Sequence, residues 1–226
     1  MGNDKPFQRK KLRAEARLQR EEEEGFSTLN ILIIGEGTTE YNYFNDMRRN
    51  LRGVRINLIL VKSKGSAPIS VVDTALDYCE KNEDIDYAFC VFDRDEHQSF
   101  DEALDKLRRY QPSVPAKSKP KFKVITSNPC FEIWPLIHFT YTTKSYSRSG
   151  SKSPCDNLHD DLSREFVGYS KTMTNLFSEL NSKLETALTH AKRLSKNNFD
   201  TGSTNPSTKV NELVNFIREE VKKLSK

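Results

Sequence analysis

The chain has 226 residues, of which 35% are hydrophobic and 30% charged, and its formal net charge is +4. This length allows one domain of generous size, with or without a helical appendage, and so mild a charge does not by itself indicate nucleic acid binding. The apolar runs are too short for a transmembrane helix, and the charged amino terminus lacks the apolar segment of a secretory signal. The 4 cysteines have no paired spacing. We therefore expect a cytoplasmic protein with free thiols and no membrane association.

Residues 1–25 are rich in lysine and arginine and end in a block of glutamates, Glu21 to Glu24. Hardly any apolar periodicity runs through them, which favours a charged, partly helical arm. The alternative is a basic arm that neutralises nucleic acid phosphates without reading their sequence.

Short apolar runs then alternate with helical patterns. Each run is too short for a helix and indicates a buried strand. Strands that alternate with helices predict parallel βαβ units with right-handed crossovers, whose ligands bind beyond the carboxyl ends of the strands. The predicted fold is therefore α/β, a parallel-rich sheet flanked by helices. The predicted strands are residues 29–34, 55–61, 87–92 and 122–126, and the third is followed by a helix at 97–110 and a loop at 112–120.

The carboxyl-terminal part of the chain is predicted to be helical. A loop rich in Ser and Thr spans 140–154, a leucine stripe at 176–191 indicates one long helix, and a polar connection at 197–207 leads to a final amphipathic helix. The chain thus divides into an arm at 1–25, an α/β core at 26–140 and a helical extension at 141–226 that packs on the core.

Carboxylates follow two of the predicted strands. Glu36 lies between two glycines after the first strand, and Asp93 and Asp95 follow the third. Alternation in an extended segment points both aspartates to the same side. Three converging carboxylates repel one another unless a divalent cation or protons compensate them, and Mg²⁺, or Mn²⁺ in its place, suits such ligands. The alternative is acidic loops that only increase solubility.

Five further polar residues near these strand ends each have two interpretations. Glu40 is either a ligand or a structural residue of the first helix. Glu132 is a ligand or base, or a first-turn carboxylate favoured by the helix dipole. Asn128 orients a phosphate or caps the next helix. His97 is a general acid or a plain helix-start residue, and His138 is catalytic or simply buried.

Basic residues near the predicted site are candidates for phosphate contacts. Lys62 and Lys64 lie in the loop after the second strand, and Arg48 and Arg49 end the first helix. Together they form either part of a groove for a nucleic acid backbone or a solvated surface.

Four stretches resemble one family when they are taken together. They are Gly-Glu-Gly-Thr-Thr-Glu-Tyr-Asn-Tyr-Phe at 35–44, Val-Phe-Asp-Arg-Asp-Glu-His at 91–97, Ser-Asn-Pro-Cys-Phe-Glu-Ile-Trp-Pro-Leu-Ile-His-Phe at 127–139 and Asn-Pro-Ser-Thr-Lys-Val at 205–210. In this order they are similar to the RloB-like family, and the resemblance covers nearly the whole chain. Pro135 differs from the aliphatic residue expected there, so a helix at that point must begin near Ile133.

The resemblance implies a Toprim-like fold, the metal-binding α/β domain of topoisomerases, primases and OLD nucleases. It implies a Mg²⁺-dependent nuclease of restriction and phage-defence loci, acting with an ATPase partner, in abortive infection for example, and it allows a homo-oligomer. By the same resemblance, Glu36 is the acid/base or a metal ligand, while Asp93 and Asp95 hold the metal. The alternative is a weakly active or non-catalytic binding or sensor subunit of a defence complex.

Overall fold

The computed structural model describes residues 28–51, 54–94, 99–111 and 120–224. The predicted amino-terminal arm and nearly all of the predicted loop at 112–120 lie outside these ranges. Asp95 and His97, two of the predicted site residues, lie outside them as well.

A five-stranded sheet in the described part of the chain has the strand order β2-β1-β3-β4-β5. The first four strands are parallel, and the short β5 pairs antiparallel with β4. The predicted α/β fold, with a parallel-rich sheet and carboxyl-terminal helices, is confirmed. The strands are β1 (Leu29–Gly35), β2 (Ile56–Lys62), β3 (Tyr87–Asp93), β4 (Lys121–Asn128) and β5 (Ser207–Thr208).

Helices join the strands and complete the chain after β4. Those between the strands are α1 (Thr38–Asn50), α2 (Pro68–Lys81) and α3 (Ser99–Arg109). Those after β4 are α4 (Ile133–Leu136), α5 (Pro154–Glu165), α6 (Leu176–Leu180), α7 (Leu184–Thr201) and α8 (Val210–Leu224). None of the described helices is both long enough and apolar enough to cross a membrane.

The carboxyl-terminal half differs from the sequence prediction in three respects. The leucine stripe is not one helix, because a 3₁₀ turn at Asn181–Lys183 separates α6 from α7. The predicted polar connection begins later, since α7 continues to Thr201 and ends at Gly202, whose φ of 70° is left-handed. Helix α5 was not predicted, although Ser153 and Asp156 form a capping box at its start. Helix α4 does begin at Ile133, as Pro135 requires.

Both faces of the parallel sheet are buried, which explains the continuous apolar runs. Side chains alternate along each strand, so neighbouring residues contribute to opposite layers. One layer contains Ile31, Ile33, Phe89 and Val91 with α1 and α4 to α8. The other contains Leu32, Ile34, Ala88, Cys90 and Phe92 with α2 and α3.

Strand β5 fixes the segment before α8 against the end of β4. The Lys209 amide donates to the Thr126 carbonyl at 2.8 Å, and the Ser127 and Thr208 hydroxyls lie 3.2 Å apart. The motif at 205–210, distant in sequence, therefore lies at the same sheet edge as the motif at 127–139.

Candidate active site

The ends of β1 and β3 lie side by side and place two of the predicted carboxylates together. Gly35 pairs with Val91, and the Glu36 amide donates to the Val91 carbonyl at 3.2 Å. The Asp93 amide donates in turn to Glu36 Oε2 at 3.2 Å. Two parallel neighbours thus present Glu36 and Asp93 at one edge of the sheet.

The glycines on either side of Glu36 leave space for Glu40. A Cβ at Gly37 would lie 2.8 Å from Glu40 Oε2, and a Cβ at Gly35 would lie 3.1 Å from the Glu40 Cβ. Gly37 has a φ of −124°, which any residue adopts, so steric room explains this glycine better than backbone freedom does. Glu40 is only 5% exposed. Its carboxylate is therefore enclosed by the turn that presents Glu36.

Burial changes the protonation of this cluster. It raises the pKa of Glu40 to about 7, with further contributions from Glu132 and Glu36, while the amides of Glu40 and Gly37 oppose the shift. It also raises the pKa of Asp93 well above its usual range, and the charges of Glu40, Glu36 and Glu132 add to the effect. Carboxylates this close favour a shared proton or a bound cation.

Glu132 joins the cluster from the segment after β4. It is 4% exposed, and its Oε1 accepts a hydrogen bond from the Tyr169 hydroxyl at 3.2 Å. Lys171 Nζ lies 3.6 Å from the same oxygen. Burial works against the charge of Lys171, but the neighbouring Glu132 raises its pKa above the ordinary value. Glu132 is thus held by a hydroxyl and a cation, neither of which the sequence indicated.

The loop that carries Tyr169 and Lys171 is attached to α1. Thr39 Oγ1 donates to the Lys171 carbonyl at 3.3 Å, and Asn42 Nδ2 donates to the Thr172 carbonyl at 3.1 Å. No motif marked this loop, because its role arises from contacts between residues far apart in sequence. The signal available was weak: Thr39 and Asn42 are polar residues on a helix that is largely buried on one side.

Two of the five further polar residues, Asn128 and His138, lie in structural surroundings that the sequence left open. Asn128 pairs with Ser207 in the sheet, and α4 has Glu132 at its N-cap with no side-chain cap, so the alternative in which Asn128 caps this helix is wrong. The contact of Asn128 with a phosphate stays a prediction. His138 is 1% exposed, and its Nδ1 lies 2.8 Å from the Trp134 carbonyl. Burial lowers the pKa of His138 to about 4, which makes it a neutral core residue.

The predicted phosphate-binding cations are mostly engaged in structural contacts. Arg49 contacts Asp46 at 3.2 Å and donates to the Thr174 carbonyl, and Arg48 donates to Asn45 Oδ1 at 2.6 Å. Arg49 therefore fastens the loop of Lys171 to α1. The other two predicted cations lie after β2. Lys62 Nζ is 3.3 Å from Thr38 Oγ1 beside the glycine turn, and the exposed Lys64 pairs with Asp77 at 3.4 Å.

The chemistry of the cluster suits a hard divalent cation. Its donors are carboxylate oxygens, which Mg²⁺ prefers to thiol or imidazole ligands. The pKa values of Asp93 and Glu40 are raised mainly by burial and in part by repulsion from the neighbouring carboxylates, and such an ion would relieve that repulsion. Among the residues that the structure describes, no group of three or more His, Cys, Asp or Glu already has the geometry to hold a metal. The described carboxylates fit as part of a Mg²⁺ site, and the predicted third ligand, Asp95, lies outside the described ranges.

The fold and the cluster define an α/β protein with a partly buried acidic site at the carboxyl ends of parallel strands. The chain belongs to the RloB-like protein family, whose model matches residues 31–217. No curated protein and no solved structure matches the chain.

Proposed function

We propose that this protein is a Mg²⁺-dependent nuclease that hydrolyses phosphodiesters of DNA or RNA. The observation that supports this most strongly is the meeting of Glu36 and Asp93 at the ends of β1 and β3, with Glu40 and Glu132 beside them. The resemblance to Toprim-like nucleases gives the reaction class.

Glu36 and Asp93 would hold the ion, together with Asp95 from the segment outside the described ranges. When bound, Mg²⁺ polarises the phosphoryl oxygen and makes a bound water more acidic. Mn²⁺ can replace it at carboxylate ligands.

The protein's own groups would then handle protons and substrate charge. Glu40, whose pKa is about 7 without a bound cation, would accept and return a proton beside the ion, which would lower that pKa. Lys171 keeps its side chain half-exposed beside Glu132, where its ammonium can contact a phosphate oxygen of the substrate. Tyr169 fixes the position of Glu132 through its hydroxyl.

Cleavage of labelled single- and double-stranded DNA and RNA in the presence of Mg²⁺ tests this proposal. We expect Glu36→Gln and Asp93→Asn each to lower the rate by about 100-fold or more, which is typical when a group acting on the reacting atoms is lost. Both variants keep the shape of the side chain. Asp105→Asn is the matched control, because Asp105 is paired with Arg108 on the surface of α3.

The alternative function is a binding or sensor subunit, and calorimetry separates it from the nuclease. Binding of Mg²⁺ and nucleic acid without products favours the subunit, whereas equal cleavage by wild type and both variants would refute the assigned site. Absence of metal binding would refute both functions.

Action in anti-phage defence with an ATPase partner completes the proposal, and it rests on the family resemblance alone. Co-purification of this chain with an ATPase encoded beside it tests that part. We expect the pair to remain associated through size-exclusion chromatography, and independent elution of the two proteins would contradict the expected partnership.

A further inference from the structure

Two segments after β4 carry cations and no acidic residue. They are residues 133–155, which contain Lys144, Arg148 and Lys152, and residues 186–199, which contain Lys192, Arg193 and Lys196. Asp161 and Asp160 neutralise Lys144 and Lys152. The cations of α7 have no such compensation: within the described ranges, no carboxylate lies at ion-pair distance from Lys192, Arg193 or Lys196.

The two segments meet where one cation of α7, and one just before it, lie over aromatic rings. The Arg193 guanidinium is 3.9 Å from the centroid of the Tyr141 ring, and Lys183 Nζ is 4.6 Å from that of Phe139. The His190 ring lies beside the Tyr141 ring, with 5.7 Å between their centroids. We call Phe139, Tyr141, Lys183, His190 and Arg193 the basic–aromatic surface.

This surface is accessible from solvent. Arg193 and Lys183 are exposed, and Phe139 and Tyr141 are half-buried. A cleft of about 170 Å³ opens beside Tyr141, and its lining includes Thr140, Thr142 and Arg164. Two carboxylates line it as well: Asp161, which pairs with Lys144 and Arg164, and Glu165. The cleft is smaller than the roughly 300 Å³ at which pockets for whole small molecules begin. The cleft can therefore receive one part of a longer ligand.

A single nucleic acid strand has the chemistry that this surface lacks. Its phosphates supply negative charge, and its bases stack on aromatic rings and on guanidinium planes. The Arg193–Tyr141 pair offers such a stacking plane, while Lys183, Lys192 and Lys196 supply charges for the backbone. A paired duplex hides its base faces and could use only the charges.

A series of ring contacts connects the surface to the carboxylate cluster. Tyr169, which donates to Glu132, lies 6.0 Å from Phe166 between ring centroids, and Phe166 lies 5.2 Å from Phe139. Two ring contacts therefore connect Phe139, in the basic–aromatic surface, to Tyr169, which donates to Glu132.

We propose that the basic–aromatic surface binds single-stranded DNA or RNA and leads the strand toward the carboxylate cluster. The direction of the strand rests on the proposed nuclease function. Binding to the surface does not, so the two can be tested separately.

The test measures fluorescence anisotropy of labelled poly(dT), poly(U) and duplex DNA with full-length protein in EDTA, which prevents metal-dependent cleavage. We expect Tyr141→Ala with Arg193→Ala to weaken single-strand binding at least about tenfold, since base stacking accounts for much of such affinity. Tyr141→Phe should bind within about threefold of wild type, because it keeps the stacking face. The single variant Arg193→Ala changes only an exposed side chain, so it tests the surface even if the double variant does not fold.

Salt dependence separates the phosphate contacts from the stacking. Lys183→Ala with Lys196→Ala should reduce the slope of log affinity against log salt by about 1.4, since each phosphate contact to a single strand contributes roughly 0.7. The matched control is Lys222→Ala with Lys223→Ala. Both lysines are paired with glutamates on α8, and Lys223 lies near Tyr87, which begins β3 at the opposite end from Asp93.

The outcomes distinguish this inference from the proposed function. Equal binding by wild type and Arg193→Ala would contradict binding at the basic–aromatic surface, even if the wild type cleaves with Mg²⁺. An equal loss of affinity in the control variant with Lys222→Ala and Lys223→Ala would contradict it as well. Tighter binding of duplex than of either single strand would overturn the stacking role. Loss of single-strand binding only in the surface variants supports the surface, even if no cleavage is found. Stronger binding of poly(dT) or of poly(U) identifies the natural strand.

Discussion

Replacing Glu40 with glutamine should make the protein more stable at alkaline pH. In the fold the pKa of Glu40 is raised to about 7, mainly by burial, against an ordinary value of 4.5. Between these two values the folded state binds more protons than the unfolded chain. The free energy of unfolding therefore falls as the pH rises through this window, and the stabilisation present below pH 4.5 is lost by about pH 7.

The size of the effect follows from the same two values. At about 1.4 kcal/mol for each pH unit between them, ionised Glu40 costs the fold about 3 kcal/mol above pH 7. Glu40→Gln removes the charge and keeps the shape, but it weakens the interaction with the amides of Glu40 and Gly37. We expect the variant to gain about 1–3 kcal/mol at pH 8 and little at pH 4.5.

Urea unfolding in EDTA at pH 4.5 and pH 8 measures this difference. The midpoint of the transition should shift, while the slope m of the free energy of unfolding against urea concentration stays unchanged. Glu212→Gln is the control, because Glu212 is exposed on α8. If the substitution gives the same change in stability at both pH values, or destabilises the protein at pH 8, then the charge of buried Glu40 does not destabilise the fold. Added Mg²⁺ should stabilise the wild type more at pH 8 than at pH 4.5, since protons compete for the same carboxylates.

Four further predictions concern the site and the core beside it. Gly37→Ala should lower the free energy of unfolding in urea by about 1–2 kcal/mol, since its Cβ would lie 2.8 Å from Glu40 Oε2. In a protein that also carries Glu40→Ala, the same substitution should cost much less, and additive effects of the two substitutions would contradict the steric cause. Lys171→Ala should lower cleavage about tenfold or more while changing stability by under about 1 kcal/mol, and Lys171→Arg should keep part of the activity. In NMR titrations the His138 imidazole should stay neutral down to about pH 4, so a transition near 6.5 would contradict its burial. Calorimetry at pH 7 in buffers of different ionisation enthalpy should show proton release as Mg²⁺ binds, and binding without release would contradict competition between proton and cation.

The sheet and its acidic edge were predictable because they depend on local patterns. Uninterrupted apolar runs mark strands buried on both faces, and carboxylates directly after two such runs must meet if the strands are parallel neighbours. Glu36 and Asp93 meet for this reason. The start of α4 at Ile133 also followed from a local rule, the tolerance for proline in a first helical turn.

The rest of the site depends on contacts that a local pattern does not encode. Tyr169 and Lys171 reach Glu132 because Thr39, Asn42 and Arg49 hold their loop against α1. Arg49 was a candidate for phosphate contact, but its charge alone did not show that its guanidinium donates to the Thr174 carbonyl. The break between α6 and α7 was hidden for a related reason, since a short 3₁₀ turn keeps leucines on nearly the same face.

The turn around Glu36 acquires a more specific role from the burial of Glu40. Two glycines beside a carboxylate suggest a turn that needs unusual backbone angles or room for a ligand, yet Gly37 has an ordinary φ and its space is filled by Glu40 Oε2. The same turn thus presents Glu36 at the sheet edge and encloses a second carboxylate behind it. A cation bound by Glu36 and Asp93 would favour the charged form of Glu40, because an opposite charge nearby lowers the pKa of a carboxyl group. Cation binding at the proposed site and the protonation of Glu40 would therefore be one coupled equilibrium, and substitution of either glycine should disturb both.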